Sequence, residues 1–154
     1  MKSSKNIHQS LPYLSGRTHR LVRDAVSTEL KECGVEMQPS DIPVIGIIAA
    51  GEGSPVMQRE IAERLELDRH RISRAVRELE EDGFIRLGAN PKNKRENLLE
   101  LTEQGQKLFG LIAKIASGVI ERAFAGCTAE ERRITEQTLL RITRNLSQNE
   151  HQMG

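Results

Sequence analysis

The chain has 154 residues, of which 37% are hydrophobic, 29% are charged and 3% are aromatic, and its formal net charge is +1. This length fits one folded domain, and the composition excludes a disordered chain and a segment long and apolar enough to cross a bilayer. No apolar run follows the first lysines, so no signal peptide is predicted, and Cys33 and Cys127 are too few for a disulfide framework. We expect a cytoplasmic, mainly helical protein.

The first third of the chain predicts two helices. Residues 11–32 place one apolar stripe along a helix, formed by Leu14, Leu21, Val22, Ala25 and Val26. A second helix is predicted from a Ser40 cap through Ala50, because Pro43 then falls in the first turn, where its missing N–H is harmless.

Two further helices and a hairpin follow. A third helix covers about residues 56–65, and a fourth begins at Asp68, a natural N-cap, and ends before Gly83. Two short extended runs, at residues 84–88 and 97–102, are joined by a polar, basic loop. This pattern predicts a β-hairpin.

The last third of the chain returns to helix. Apolar periodicity resumes after Thr102 and continues to about Ala125. Thr128, with Glu131 three residues later, forms a capping box that opens a last helix to about Leu146.

Charge is segregated on the fourth helix. Its apolar side holds Ile72, Ala75, Val76 and Leu79, whereas His70, Arg74 and Arg77 fall on the opposite side, with Ser73 at their edge. Its acidic residues all lie in the C-terminal half. If the N-terminus of the helix enters a nucleic-acid groove first, these acidic residues stay away from the phosphates and are not repelled by them. The alternative is a solvated face with ordinary i,i+4 pairs such as Arg74–Glu78.

The hairpin loop strengthens the nucleic-acid interpretation. Residues 68–77 hold four arginines and one aspartate, a net +3, and residues 86–97 hold four basic residues and one glutamate, again +3. Because the chain totals +1, these two segments at +6 leave −5 for all other residues. Such concentrated positive charge is typical of a nucleic-acid reader.

Residues 57–105, "MQREIAERLELDRHRISRAVRELEEDGFIRLGANPKNKRENLLELTEQG", resemble the MarR (multiple antibiotic resistance regulator) family of winged-helix repressors. The resemblance implies one MarR-like domain over residues 1–154, mainly α with a small β-hairpin wing (α+β). Within it, the winged-helix DNA-binding lobe covers about 38–104 and the dimerisation helices cover about 8–33 and 105–147.

The resemblance also implies two sets of DNA-binding residues. The recognition helix would enter the major groove with Asp68, Arg69, His70, Arg71, Ser73, Arg74 and Arg77. The wing would contribute Arg86, Lys92, Asn93, Lys94 and Arg95, with Arg95 in the minor groove. Many members carry Asp two residues before that arginine, whereas this chain has Asn93, which can hydrogen-bond a guanidinium but supplies no charge. Members often carry a Ser or Thr cap where this chain has Met57.

The helix after the hairpin indicates a partner subunit. Its apolar residues cover about 220° of the circumference, whereas one packed face needs only ~100°. The first and last helices of the same chain can cover part of the surplus. A homodimer would cover the rest, with an interface of Leu14, Leu21, Phe109, Ile112, Ile115, Val119, Ile120, Phe124, Leu139 and Ile142.

Together these observations predict a sequence-specific regulator of transcription, a repressor that binds a palindromic double-stranded DNA operator as a homodimer. The resemblance implies release by a small aromatic or anionic effector in the cleft between the dimer helices and the winged domain. No cofactor, metal site or catalytic residue is predicted, because His8, His19, His70 and His151 lie far apart. Two alternatives stay open, a winged-helix module that binds protein and a redox-responsive regulator using Cys33 or Cys127.

Overall fold

The structure, a computed structural model, describes residues 7–93 and 95–150, with side chains up to residue 147. A short 3-10 turn at Ile7–Gln9 precedes the regular elements. In chain order these are α1 (Leu11–Glu32), α2 (Ile42–Ala49), β1 (Val56–Met57), α3 (Gln58–Leu65), α4 (Arg69–Glu81), β2 (Ile85–Ala89), β3 (Asn97–Leu101), α5 (Glu103–Ala123) and α6 (Ala129–Glu150). The fold is mainly helical with a small antiparallel sheet, which confirms the predicted fold class.

The sheet has the strand order β1-β3-β2, and both pairings are antiparallel. The hairpin of β2 and β3 was predicted, but β1 was not. Residues 56–57 were assigned to the third helix, whereas Val56 pairs with Leu99 and Met57 with Leu98. Val56 is buried, and its β-branched side chain suits a strand that packs on the core. The third helix therefore begins at Gln58, with Met57 as an N-cap that makes no side-chain cap bond.

The start of α2 differs from the prediction by one residue. The N-cap is Asp41 rather than Ser40, and Pro43 still lies in the first turn. Ser40 does not cap the helix, because its Oγ donates a hydrogen bond to Asp41 Oδ1 at 3.1 Å. Asp41 is a buried acidic residue, with 2% of its surface exposed.

Both ends of α4 follow the prediction. The backbone N–H of Arg71 donates to Asp68 Oδ1 at 3.0 Å, so Asp68 is the N-cap. At the other end Gly83 adopts a φ of 77°. The N–H groups of Gly83 and Phe84 donate to the carbonyls of Glu80 and Leu79, both at 2.9 Å, which is a Schellman motif.

The "LTEQG" sequence at the start of α5 forms a joint with the end of α4. Thr102 Oγ1 donates to the Gly83 carbonyl at 2.6 Å, and its backbone N–H donates to the Phe84 carbonyl at 3.0 Å. The N–H of Gly105 in turn donates to Thr102 Oγ1 at 3.0 Å. A Cβ on Gly105 would lie 1.9 Å from the Phe84 carbonyl oxygen, so the close approach depends on glycine.

The chain divides into two compact units, residues 1–119 and 120–154. The first unit contains the hydrophobic core. The helices α2 and α4 contribute their apolar faces to this core, and α1 contributes Val26 and Leu30. The sheet contributes Val56, Ile85 and Leu99. The predicted single domain, with its lobe and dimerisation helices, remains a proposal.

Three residues of the predicted dimer interface are already buried within the first unit, and the interface itself stays a prediction. Ile112, Ile115 and Val119 of α5 lie in the core of the first unit and are buried without a partner subunit. Phe109, by contrast, is 36% exposed, and Ile120 and Phe124 are half-buried. Surplus apolar surface on α5 is therefore smaller than its periodicity indicates.

The second unit has its own local contacts. The predicted capping box of Thr128 and Glu131 is confirmed, since each backbone N–H donates to the other residue's side chain. Arg132 pairs with Glu121 at 2.7 Å, and its guanidinium lies 5.1 Å from the Phe124 ring centroid. In the described part of the chain, no helix has the length and apolar character that a membrane span requires.

Candidate nucleic-acid interface

The two faces of α4 separate as the periodicity predicts. Ile72, Ala75, Val76 and Leu79 are buried in the core. The opposite face is exposed along its length and consists of Arg69, His70, Arg71, Ser73, Arg74 and Arg77. The hydrogen bond from the Arg71 backbone lowers the pKa of Asp68, so the cap carboxylate stays charged and reduces the local positive charge.

A tight turn and a side-chain hydrogen bond join α3 to α4. Glu66 ends α3 in the left-handed region, with φ 52°, and the N–H of Leu67 donates to the Ala62 carbonyl at 3.1 Å. Gln58 Nε2 donates to Ser73 Oγ at 2.8 Å. Ser73, predicted to contact DNA, therefore already has a partner on α3 and helps to hold the two helices in register.

Two asparagines organise the wing loop between β2 and β3. Asn90 Oδ1 accepts a hydrogen bond from the N–H of Lys92 at 2.9 Å, and Asn93 Oδ1 accepts one from the N–H of Arg95 at 3.1 Å. These are consecutive Asx turns. Asn90 is only 8% exposed, and sequence reasoning missed it, although the Asn-Pro pair at residues 90–91 is a turn signal.

Asn93 therefore acts on the wing differently from the sequence-based expectation. Its side-chain oxygen holds the backbone of Arg95 rather than the guanidinium. Lys92 and Arg95 are exposed on the loop, and Lys94 lies outside the described residues.

Arg86 does not lie on the wing loop. It sits in β2 opposite Glu100 of β3, and its Nε and NH2 atoms lie 2.7 and 2.5 Å from Glu100 Oε2. The charge of Arg86 is therefore offset by this cross-strand carboxylate, and its contact with DNA stays a prediction.

A cleft of about 250 Å³ brings together α3, α4 and the wing. Three arginines line it, one from each element: Arg59, Arg69 and Arg95. Glu96 also lines the cleft and lies 3.6 Å from Arg59, so it links the root of the wing to α3. Three guanidinium groups against one carboxylate leave the cleft positive. Sequence reasoning missed Arg59, because nothing local indicates that the first turn of α3 faces the wing.

A short helix, a tight turn, a second helix with an exposed basic face and an adjoining β-hairpin define a winged helix-turn-helix protein. A sequence profile described as the MarR family matches residues 36–96. The winged helix-turn-helix region of the chain therefore matches the MarR family of transcriptional regulators.

The relatives agree with this assignment. The chain is 31% identical over 98 residues to the uncharacterised HTH-type transcriptional regulator YybA of Bacillus subtilis (strain 168), a match covering 64% of this chain and 65% of YybA. Matches to three further curated regulators span 54–56% of their lengths. These alignments thus cover less than two thirds of each curated relative.

Solved structures resemble more of the chain. A MarR-family regulator from Rhodococcus sp. RHA1 has 26% identity and a TM-score of 0.78, covering 90% of this chain and 96% of that one. A MarR-family regulator from Listeria monocytogenes, solved in complex with a 26mer DNA, has 25% identity and a TM-score of 0.79, covering 92% of this chain and 91% of that one.

Proposed function

We propose that this protein is a sequence-specific, double-stranded-DNA-binding repressor that acts as a homodimer on a palindromic operator. The observation that carries the proposal is the positive cleft, in which Arg69 of α4 and Arg95 of the wing line one surface with Arg59. Guanidinium groups bind phosphates and base edges, and an exposed helix face beside a hairpin suits adjacent grooves. The DNA complex of the Listeria relative supports this assignment.

Within this proposal, α4 reads base edges, whereas the wing contacts phosphates and the minor groove. Arg74 lies at the centre of the exposed face of α4, and its only ion pair among the described residues is a long one, 3.7 Å to Glu78. It is therefore available to pair with guanine. Lys92 and Lys94 contact phosphates, and Arg95 reads minor-groove width.

The homodimer is proposed on the apolar side chains that the chain leaves exposed. On α1 these are Leu11, Leu14 and Leu21, and on α6 they are Ile134, Leu139, Leu140 and Leu146. Two identical recognition helices about one DNA turn apart would read a palindrome.

We further propose that a small ligand releases the DNA. Cys33 and Cys127 are both exposed free thiols, which keeps redox control open as an alternative.

Duplex binding measured across a salt series tests the proposal. If a dimer neutralises ~6–10 phosphates, affinity should fall by roughly 10³–10⁵ between 50 and 200 mM salt. Absent binding at low salt, or binding indifferent to salt, would favour a module that binds protein.

Two variants separate base reading from phosphate contact, after an operator has been selected from a random duplex pool. Arg74→Ala should lose about 1–3 kcal/mol of discrimination at defined operator positions. Lys92→Ala should weaken operator and random duplexes alike and flatten the salt slope by about one. Arg133→Ala, an exposed arginine on α6, is the control and should change neither. If Arg74→Ala, like Lys92→Ala, lost the same affinity for the operator and for random duplexes, the proposed roles of these two residues would be wrong.

A further inference from the structure

The positive cleft between α3, α4 and the wing is lined by one carboxylate, that of Glu96, which the proposed function does not use. The side chain of Glu96 is 25% exposed, whereas the three arginines that line the same cleft are exposed residues. A DNA phosphate that enters the cleft would be repelled by this carboxylate at short range. Attraction of phosphates therefore cannot explain why a carboxylate lies here.

Hydrogen bonds within the wing loop fix the position of Glu96. Its backbone N–H donates to the Asn93 carbonyl at 3.0 Å, and its own carbonyl accepts from the N–H of Asn90 at 3.3 Å. Its side-chain Oε2 accepts a third hydrogen bond from Asn90 Nδ2 at 3.4 Å. Because Asn90 is only 8% exposed, the residue that anchors Glu96 is itself held by its surroundings. The carboxylate therefore has a defined place at the root of the wing.

The other oxygen of this carboxylate faces Arg59 on α3. Glu96 Oε1 lies 3.6 Å from Arg59 NH1, and Glu63 Oε1, one turn further along α3, lies 3.6 Å from Arg59 Nε. Charge-assisted hydrogen bonds measure about 2.7–2.9 Å, so neither contact is a full hydrogen bond. Arg59 also lies in the first turn of α3, where the helix dipole favours an anion. A closer acceptor can therefore displace Glu96 from this guanidinium.

We propose that Glu96 occupies Arg59 in the free protein in place of a DNA phosphate, and that a backbone phosphate replaces it when a duplex binds. A phosphate suits the guanidinium better, because it can accept two parallel hydrogen bonds from it. Its arrival breaks the Arg59–Glu96 pair, so Glu96 lowers the affinity for every duplex, whatever its sequence. This inference rests on the proposed function and adds two roles to it. Arg59 contacts phosphate, and Glu96 restrains non-specific binding.

Duplex titrations of Glu96→Gln test the sign of this effect. Gln keeps an oxygen that can accept from Asn90 and removes the negative charge, so the cleft changes from three arginines and one carboxylate, +2, to three arginines alone, +3. Affinity for operator and random duplexes should rise alike, severalfold, and the salt slope should steepen by up to about one. Unchanged or weaker binding would overturn the proposal, as would a gain confined to the operator.

Glu63 supplies a matched control variant. Its carboxylate lies at the same distance from Arg59 as that of Glu96, but Glu63 is exposed on α3 and does not line the cleft. Glu63→Gln should change duplex affinity by about twofold or less, because an exposed i,i+4 pair is weak. Equal gains for Glu63→Gln and Glu96→Gln would show that the loss of any nearby negative charge strengthens binding, and would overturn the role of Glu96.

Arg59→Ala separates competition for Arg59 from direct repulsion of the DNA. This variant should bind operator and random duplexes more weakly by the same factor, and its salt slope should flatten by about one. In Arg59→Ala/Glu96→Gln, the gain from Glu96→Gln should be largely lost, since residues that act through one contact are not additive. An unchanged affinity for Arg59→Ala, or the same gain in both backgrounds, would overturn the proposal.

The wild-type protein in the same titrations keeps the two proposals apart. If the wild-type protein binds duplex DNA and Glu96→Gln binds it no more tightly, only the role of Glu96 is wrong. If neither the wild-type protein nor any of these variants binds a duplex at low salt, the proposed function is wrong, and the role of Glu96 is wrong with it.

Discussion

At Gly105 the backbone of α5 passes so close to the Phe84 carbonyl that no side chain fits, since a Cβ would lie 1.9 Å from that oxygen. Gly105→Ala should therefore lower the free energy of unfolding by about 1–3 kcal/mol, the usual cost of overpacking. Gly110 is the control on the same helix, because its Cβ would meet nothing within 4 Å. Gly110→Ala should be stabilising, by up to ~1 kcal/mol of helix propensity. Urea denaturation measures the free energy of unfolding of both variants. An unchanged value for Gly105→Ala would show that the backbone at Phe84 can move to accommodate the added methyl group.

Asp41 allows a prediction about pH. Burial raises its pKa in the folded protein, so the charged form is disfavoured there relative to the unfolded chain. The resulting loss of stability is fully present at pH 7 and diminishes as the pH falls toward and below 3.8, the ordinary pKa of an aspartate. Asp41→Asn should therefore raise the free energy of unfolding at pH 7, and by less at pH 4. Urea titrations at the two pH values check this, and destabilisation at pH 7 would mean that Arg74 compensates the carboxylate.

Residues whose role depends on near neighbours could be predicted, and residues whose role depends on distant partners could not. Asp68 caps a helix that begins at the next residue, so three residues of sequence are enough to identify it. Ser73 instead bonds Gln58, fifteen residues earlier, and Arg86 bonds Glu100, fourteen residues later. Their hydrogen-bonding atoms are therefore already occupied in ways that helical periodicity and net charge cannot indicate.

At the scale of elements, the strength of the periodic signal decides what the sequence reveals. α1 and α4 carry long apolar stripes, and their observed bounds match the prediction closely. β1 has only two residues, which is too short for any period, and its partner strand β3 begins forty residues later in the chain. The positive cleft could not be predicted from periodicity either, because it forms only when the sheet brings the wing beside α3.

The wing yields a prediction about how its arginine is positioned. Asn93 Oδ1 holds the backbone N–H of Arg95, so Asn93→Ala should lower duplex affinity by misplacing that arginine. Asn93→Asp keeps an acceptor in the same place and should retain more affinity than Asn93→Ala. The double variant Asn93→Ala/Arg95→Ala should bind no more weakly than Arg95→Ala alone, since residues acting through one contact are not additive. Duplex titrations with A·T-rich flanks measure this, and additive losses would give Asn93 a separate contact.

At the scale of the whole molecule, the two compact units leave apolar surface exposed in different ways. In the first unit, α1 buries Val26 and Leu30 near its C-terminus. Leu14 and Leu21, nearer its N-terminus, are 47% and 54% exposed. In the second unit, Leu139 and Leu146 of α6 are exposed and Ile142 is half-buried. These exposed side chains are the observation on which the homodimer is proposed.

A dimer formed through these surfaces predicts a specific response to charge. Light scattering at micromolar concentration should give twice the monomer mass of 17.3 kDa. Leu139→Glu should raise the dissociation constant by roughly tenfold or more, because burying an unpaired carboxylate costs well over 1 kcal/mol. Gln137→Glu introduces the same charge two residues earlier, on another side of α6, and should leave the mass unchanged. A wild-type monomer, or equal dissociation of the two variants, would contradict this interface, and a monomer would also remove the symmetry on which a palindromic operator depends.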